Sequence, residues 1–387
     1  MDKRTPNNLD GGRGRGQAGG ARPLDPSRAP AVAALKRLFE RWGFDREFHD
    51  AYLADPTGAL ATTGLDVDPR AASLVLLHRL PEGDDGGLPE TFVWYRDFEE
   101  GRFAHGMRNR DRLALKDPRL RDWRDWQIRR CNRAMPYYSQ FMAHVPLVFE
   151  LTLGCSVGCP FCAFSAGRLQ GVFRHTDANA QLWRDTLVRM RDLIGDAAAT
   201  SVCYCATEPL DNPDYELFLA DFYDEFGRVP QTTTAAATRD LDRTRELLRW
   251  GQQTYLHRDR LSLLSKEECD LVHAEFTAEE LLYTDLLPQF PESPIANLKR
   301  AGRNLGAKQG EEGTIACASG FIVNMAERSV RLVAPVVADE EHPTGELVYE
   351  KAGFGDAASL QEVVGGMIDR HMHETITLAS IFGKRAN

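Results

Sequence analysis

The sequence predicts a mixed α/β protein centred on a full or partial parallel α/β barrel, with a helical module before it and an antiparallel hairpin plus a helix after it. Three features carry this expectation. Short apolar strands alternate with helical segments after Pro146. The preceding stretch has helical periodicity, and past Thr314 two strand patterns flank a turn. At 387 residues and 43% hydrophobic content, the chain can bury one large domain and a smaller appendage.

Residues 1–29 are rich in Gly, Arg, Pro and Asp with almost no apolar content, so a disordered tail is expected there. A small helical module follows over 30–75, where Leu35, Leu38 and Phe39 recur at helical spacing and Trp42, Phe48 and Tyr52 continue the pattern. The region 76–145 opens on the polar stretch PEGDDGGLPE and then turns charged and aromatic, which reads as mostly helical with its arginines on a solvated face.

The barrel is expected over 146–313. LVFELTL (147–153) and TSVCYCA (200–206) are strand candidates, and Trp183, Leu187, Met190 and Ile194 mark one face of the helix between them. PDYELFLADFYDEF supplies another helix, VPQTTTAA a β-branched strand, DLDRTRELLRW a helix and DRLSLLS a further strand. Strands spaced by such helices pair in parallel through right-handed crossovers, which places a site at their C-terminal ends. Over 314–387, IACASGFIVN and SVRLVAPVV flank the turn MAER, and GELVYEK and a last helix follow, expected to cover the barrel.

No run of eighteen apolar residues occurs and the N-terminus lacks a secretory core, so the cytoplasm is the expected compartment, with no membrane partner. A net charge of -10 counts against a general nucleic-acid binder. Eight cysteines without an export signal point to reduced thiols and metal ligation.

Three of those cysteines are clustered. In LTLGCSVGCPFCAFSAG, Cys155, Cys159 and Cys162 form a CxxxCxxC pattern in a glycine-containing loop just after a strand. Three thiolates can hold three irons of one [4Fe-4S] cluster and leave the fourth iron open, whereas structural zinc asks for four closed ligands and no second pair is present. Cys131, Cys203, Cys205, Cys269 and Cys317 are scattered, which argues for a single cluster. Cys203 and Cys205 share one face of a strand candidate, where buried cysteine commonly serves as a small hydrophobe.

With Phe161 just before the third cysteine, this segment resembles the radical S-adenosylmethionine superfamily. The resemblance implies a partial (β/α)6-like barrel, S-adenosylmethionine chelated by the open iron, and an external electron donor. It also makes Thr207 and Glu208, in ATEPLDNPDY, and Arg260 and Ser262, in RLSLLS, candidates for holding S-adenosylmethionine. Glu208 reads equally as an ordinary loop carboxylate, and Arg260 and Ser262 as packing or surface residues.

FELTLGCSVGCPFCAFSAG, ATEPLDNPDYELF, PQTTTAAATRDLDRTRELLR, RLSLLS and TIACASGFIVNMAERSVRL together resemble a narrower group, the epimerases that mature ribosomally made peptides such as proteusins. That resemblance implies a ribosomal precursor peptide as partner, removal of Hα from an L-residue and return of hydrogen by a thiol, for which Cys317 is the candidate. Where the family pattern ends in Ser-Pro-Cys, this chain has Ala334, Pro335 and Val336, which leaves cross-linking or dehydrogenation as alternative outcomes. The module WGFDREFHDAYLADPTGALATTGL also resembles precursor leader regions, and reads alternatively as helices decorating the barrel.

Overall fold

The computed structural model describes residues 24–77, 87–139, 141–252, 258–296, 298–308 and 310–373. Most of the expected N-terminal tail therefore lies outside the described residues. The elements run α1 (Ala29–Phe44), α2 (Arg46–Ala54), α3 (Pro56–Ala61), α4 (Pro69–Leu77), α5 (Glu90–Arg112), α6 (Pro118–Ala134), α7 (Pro136–Ser139), β1 (Val145–Glu150), β2 (Thr152–Leu153), β3 (Gly171–Val172), α8 (Asp177–Ile194), α9 (Tyr215–Phe226), β4 (Thr233–Thr234), α10 (Leu241–Gln252), β5 (Asp259–Leu263), α11 (Lys266–Glu275), β6 (Thr284–Pro288), β7 (Ala318–Asn324), β8 (Ser329–Pro335), β9 (Glu346–Gly353) and α12 (Ala357–His371). The protein is a mixed α/β structure. Its chain divides into two compact units: Met1–Arg108, Gln231–Leu298 and Lys308–Glu311 form one; Asn109–Pro230, Lys299–Ala307 and Glu312–Asn387 form the other.

In the first unit, side chains cap the short helices in turn. Asp45 accepts the Phe48 N–H at 3.1 Å and Asp55 the Gly58 N–H at 3.0 Å, which stops α1 and α2 and restarts the chain at new angles. Leu35, Leu38, Phe48, Tyr52, Leu76 and Phe92 then close one buried cluster. The sheet here is parallel in the order β4-β5-β6, and Leu261, Leu263, Phe276 and Leu281 belong to a second cluster. Strand β4 is only two residues long because neighbouring side chains capture its backbone donors: the Thr232 N–H goes to the Asp259 carboxylate and the Ala236 N–H to Thr234 Oγ1, both at 2.9 Å.

Helix α1 is tied down by a buried charged group. Lys36 Nζ donates to Glu40 and, at 2.6 Å, to the Thr284 carbonyl, while Glu40 Oε2 meets His273 Nε2 at 3.1 Å. Burial pushes the Glu40 carboxyl up, and Lys36 and His273 outweigh it, so the net shift is downward. Replacing Lys36 with Met strands that carboxylate and is expected to cost about 3–5 kcal/mol. A group whose folded pKa is depressed stabilises the fold above the unfolded carboxylate value of about 4.3 and loses that contribution as pH falls through the folded value. Urea midpoints followed from pH 7 to pH 3 check both points: the wild type should weaken on acidification, and Lys36→Met should start lower and fall less.

The second unit carries a four-stranded sheet in the order β1-β7-β8-β9, in which β1 and β7 are parallel and the remaining pairs antiparallel. The hairpin expected after Thr314 is thus present, and its first strand also hydrogen-bonds along β1, with Glu150 opposite Asn324. One face of the sheet packs through Val145, Val148, Val202, Ala318, Ile322 and Val333. On the other face, Phe149 meets Trp183 of α8 edge-on at 4.7 Å, and Trp183 meets Phe218 of α9 at 5.7 Å.

The strand expected over 200–206 is reduced to one parallel bridge, Val202 to Val148. Past it, the Ala206 N–H is taken by the Glu150 carboxylate at 3.2 Å instead of by a neighbouring strand. Among the described residues the strands pair as three separate sheets of four, two and three strands.

Candidate functional site: a clamped cysteine loop

Strand β1 delivers the chain to Glu150, after which the short β2/β3 ladder opens the cysteine loop. Gly154 has φ 84°, and a Cβ there would lie 2.1 Å from the Arg168 carbonyl oxygen, so only glycine fits this entry. The Cys155 N–H then bonds the Gly167 carbonyl at 2.9 Å and closes the loop at its base.

Two clamps hold the loop from outside it. Arg303 reaches in with its guanidinium to the Cys159 carbonyl at 2.8 Å and to the Ala166 carbonyl, while its own N–H bonds the Cys162 carbonyl at 3.0 Å. Gly302, at φ 58°, lets this happen, since a Cβ would sit 2.4 Å from the Cys162 and Ala163 carbonyl oxygens. On the other side, the Asp211 carboxylate accepts the Ser156 N–H at 2.7 Å and the Ser156 hydroxyl. Asn212, fully buried, donates to the Leu151 and Phe173 carbonyls at 3.3 and 2.8 Å and so fixes the 206–214 segment to the strand that leads into the loop.

The three thiols are free and half-buried. Cys162 receives the shared Cys159 proton and backbone N–H bonds from Ala166 and Phe164, with Arg303 adding a positive field, so its pKa falls to about 5. Cys159, the donor in that pair, is pushed up correspondingly, and the two titrate as a unit. Burial raises Cys155, opposed by N–H bonds from Val157 and Gly158. Iodoacetamide applied to the metal-free chain near pH ~6.5 is therefore expected to label the Cys159–Cys162 pair well before Cys155, because only that pair holds a thiolate there. Equal labelling of all three, read by peptide mass mapping, would contradict this.

Among the described residues no three Cys, His, Asp or Glu side chains converge as ligands of one ion. A cubane cluster makes a different demand, because its thiolates bind separate irons and stand further apart than ligands of a single ion. The donor set fits such a group: soft thiols only, on a loop whose backbone N–H groups already point at two of the sulfurs.

The remaining sequence-derived residues are placed as follows. Glu208 is buried and accepts the Leu210 N–H at 3.0 Å, capping the turn Pro209–Asp211, and Thr207 is half-buried beside it. Both lie in the second unit with the cysteine loop, whereas Arg260 and Ser262 lie on β5 of the first unit, where Arg260 Nε stands 3.8 Å from the Asp285 carboxylate. Cys317 is half-buried just before β7, and its carbonyl accepts the Val145 N–H at 3.1 Å.

Glu150, Arg331 and Cys205 were not singled out as site residues by the sequence. Both terminal guanidinium nitrogens of Arg331 donate to the Glu150 carboxylate at 3.0 Å, and the Asn324 amide adds a bond at 3.1 Å. Cys205 lies within electrostatic reach of this pair, of Glu346 and of Cys317, and burial first and those carboxylates second hold its thiol protonated. Arg303 and Asp211 carried no local motif either. They act from 144 and 55 residues away in sequence from the cysteine-loop residues they hold.

No known family profile matches the chain. It is 33% identical over 377 residues to a protein described as "Uncharacterized protein y4wI" from Sinorhizobium fredii (strain NBRC 101917 / NGR234), covering 90% of this chain and 72% of that one. The chain belongs to the y4wI family. Among solved structures, the crystal structure of BtrN in complex with AdoMet and 2-DOIA overlaps 59% of this chain and 82% of its own at 15% identity and a TM-score of 0.37, an overlap that fixes neither fold nor chemistry. No helix among the described residues of this y4wI-family chain is long and apolar enough to cross a membrane.

Proposed function

We propose that this y4wI-family protein is a radical S-adenosylmethionine enzyme that acts on a ribosomally made precursor peptide and converts an L-residue to its D form. The observation that carries the reading is the CxxxCxxC loop: three free thiols on the loop that follows the parallel strand β1 and the short β2/β3 ladder, clamped by Arg303 and Asp211, with backbone N–H groups aimed at two of the sulfurs. Cys155, Cys159 and Cys162 would hold the cluster. Bound there, a [4Fe-4S] cluster with S-adenosylmethionine, fed by an external one-electron donor, supplies a carbon radical able to take hydrogen from an unactivated carbon.

The chain's own part is to position and to return hydrogen. Thr207 and Glu208 follow the bridge that pairs with β1 and are the candidates for the S-adenosylmethionine ammonium; Arg260 and Ser262 are candidates for its other polar groups. Return of a hydrogen atom to the far side of a planar Cα radical breaks the S–H bond of a protonated thiol and leaves a thiyl radical, which an electron from the external donor and a solvent proton would restore to the thiol. Cys317 is the candidate drawn from the sequence, and Cys205, protonated and close to Arg331 and Glu346, is the second thiol to test. Val336 stands where the resembling epimerases carry a cysteine, which favours a second reading in which the peptide radical ends as a cross-link or a dehydrogenated residue.

The deciding experiment uses anaerobically reconstituted full-length protein with reductant, S-adenosylmethionine and a candidate precursor peptide, in deuterated water. One deuterium at a residue turned to the D form, lost in Cys317→Ala or in Cys205→Ala, supports epimerisation and names its donor. Peptide loss of two hydrogens without deuterium gain overturns epimerisation in favour of the second reading.

A further inference from the structure

Away from the cysteine loop, α6 presents a face that the described residues of its own unit leave uncovered. Trp126, Arg129, Arg130 and Arg133 recur at i, i+3, i+4 and i+7 and, with Ala134, line a cavity of about 390 Å³. Four described large apolar side chains are more than half exposed, and three of them belong to α6 and the segment that directly follows it: Trp126 (52%), Tyr137 (65%) and Phe141 (56%), with the Tyr137 and Phe141 rings 5.9 Å apart edge to face, against Leu53 in the other unit. Exposed aromatic side chains of this kind are the ones that anchor partner contacts.

The charges on this face differ from those elsewhere on the same helix. Arg119 is paired with Asp117 and Asp369, and Arg121 with Asp122. Arg130 is fixed, donating to Gln127 Oε1 at 3.0 Å and to the Pro335 carbonyl at 2.6 Å, with its guanidinium 5.8 Å from the Trp126 ring centre. Among the described residues, Arg129 and Arg133 have neither an ion pair nor a hydrogen bond. Two free guanidinium forks one turn apart, in a chain of net charge -10, select carboxylates arriving from another molecule.

We propose that this face of α6 docks an acidic peptide segment, with carboxylates on Arg129 and Arg133 and an apolar or aromatic side chain against Trp126, Tyr137 and Phe141. Nucleic acid fits less well, because it asks for a row of cations along a phosphate backbone, whereas here the exposed Asp125 lies on the same helix as only two free arginines.

The test is fluorescence anisotropy with the full-length chain and a labelled synthetic peptide in which glutamates alternate with phenylalanine and leucine. Binding is expected to weaken with added salt, to fall about tenfold or more in the double variant Arg129→Glu/Arg133→Glu and severalfold in Trp126→Ala. All three side chains are on the surface, so circular dichroism should stay unchanged. Equal binding by the double variant, or by the peptide with glutamines in place of glutamates, overturns the proposal. So does tighter binding of a single-stranded oligonucleotide with the same mutational sensitivity, or a concentration-dependent dimer that the same substitutions dissolve. The outcome is independent of whether the cysteine loop holds a cluster.

Discussion

Replacing Cys155, Cys159 or Cys162 singly with Ala should reduce iron from about four per reconstituted chain to a small residue, and S-adenosylmethionine cleavage by at least about 100-fold. A cubane held on three protein thiolates has no spare protein ligand, and four of the other five described cysteines are ill suited to substitute. Cys203 and Cys205 are held protonated by burial, and Cys131 and Cys269 are buried thiols raised in the same way. The loop itself should survive each change, since it is held by backbone and side-chain bonds from Arg303, Asp211 and Asn212 rather than by the thiols. Iron and sulfide analysis with circular dichroism on the same samples separates lost ligation from lost folding. A single zinc per chain, retained in two of the three variants, would contradict the assignment.

A large loss of stability is expected from Arg331→Met. The Glu150 side chain is only 3% exposed and receives both Arg331 nitrogens, the Asn324 amide and the Ala206 N–H. Removing the guanidinium leaves a buried carboxylate with two neutral donors, at a cost of about 3–5 kcal/mol. The double change Glu150→Gln/Arg331→Met should recover part of that loss, because the uncompensated charge is gone. Chemical denaturation of the two variants and the wild type measures both numbers. A loss below about 1 kcal/mol in the single variant would mean that water already screens this pair.

The helices and the hairpin were legible in the sequence because each carries a period. Trp183, Leu187, Met190 and Ile194 were expected on one face of α8, and all four are fully buried. The β7 and β8 pairing follows from two apolar runs around MAER. Strand β6 was not legible, since TDLLP has Asp285 inside it and Pro288 at its end, and its pairing with β5 decides its conformation. Helix α11 was not anticipated from the sequence, although its start carries a local signal: Ser265 Oγ accepts the Glu268 N–H at 3.3 Å, and the Glu268 carboxylate accepts the Leu264 N–H at 2.7 Å, a variant of the capping box.

For the candidate site, the cysteines were readable because chemistry demands their spacing. What holds them was not. Arg303 and Gly302 come from a loop 140 residues later with no local pattern, and their role exists only where that loop meets the Cys159 and Cys162 carbonyls. Glu150 on β1 and Arg331 on β8 carry no local signal of each other, and they meet only because β1 pairs in parallel with β7 while β7 pairs antiparallel with β8.

Electron paramagnetic resonance of the anaerobically reconstituted, reduced full-length protein, recorded without and with S-adenosylmethionine, decides whether the cysteine loop carries an open cluster. The expected signal is that of a one-electron-reduced [4Fe-4S] cluster whose line shape changes when S-adenosylmethionine is added, because the fourth iron is open to it. A protein that binds no iron, or a cluster signal indifferent to S-adenosylmethionine, would contradict it.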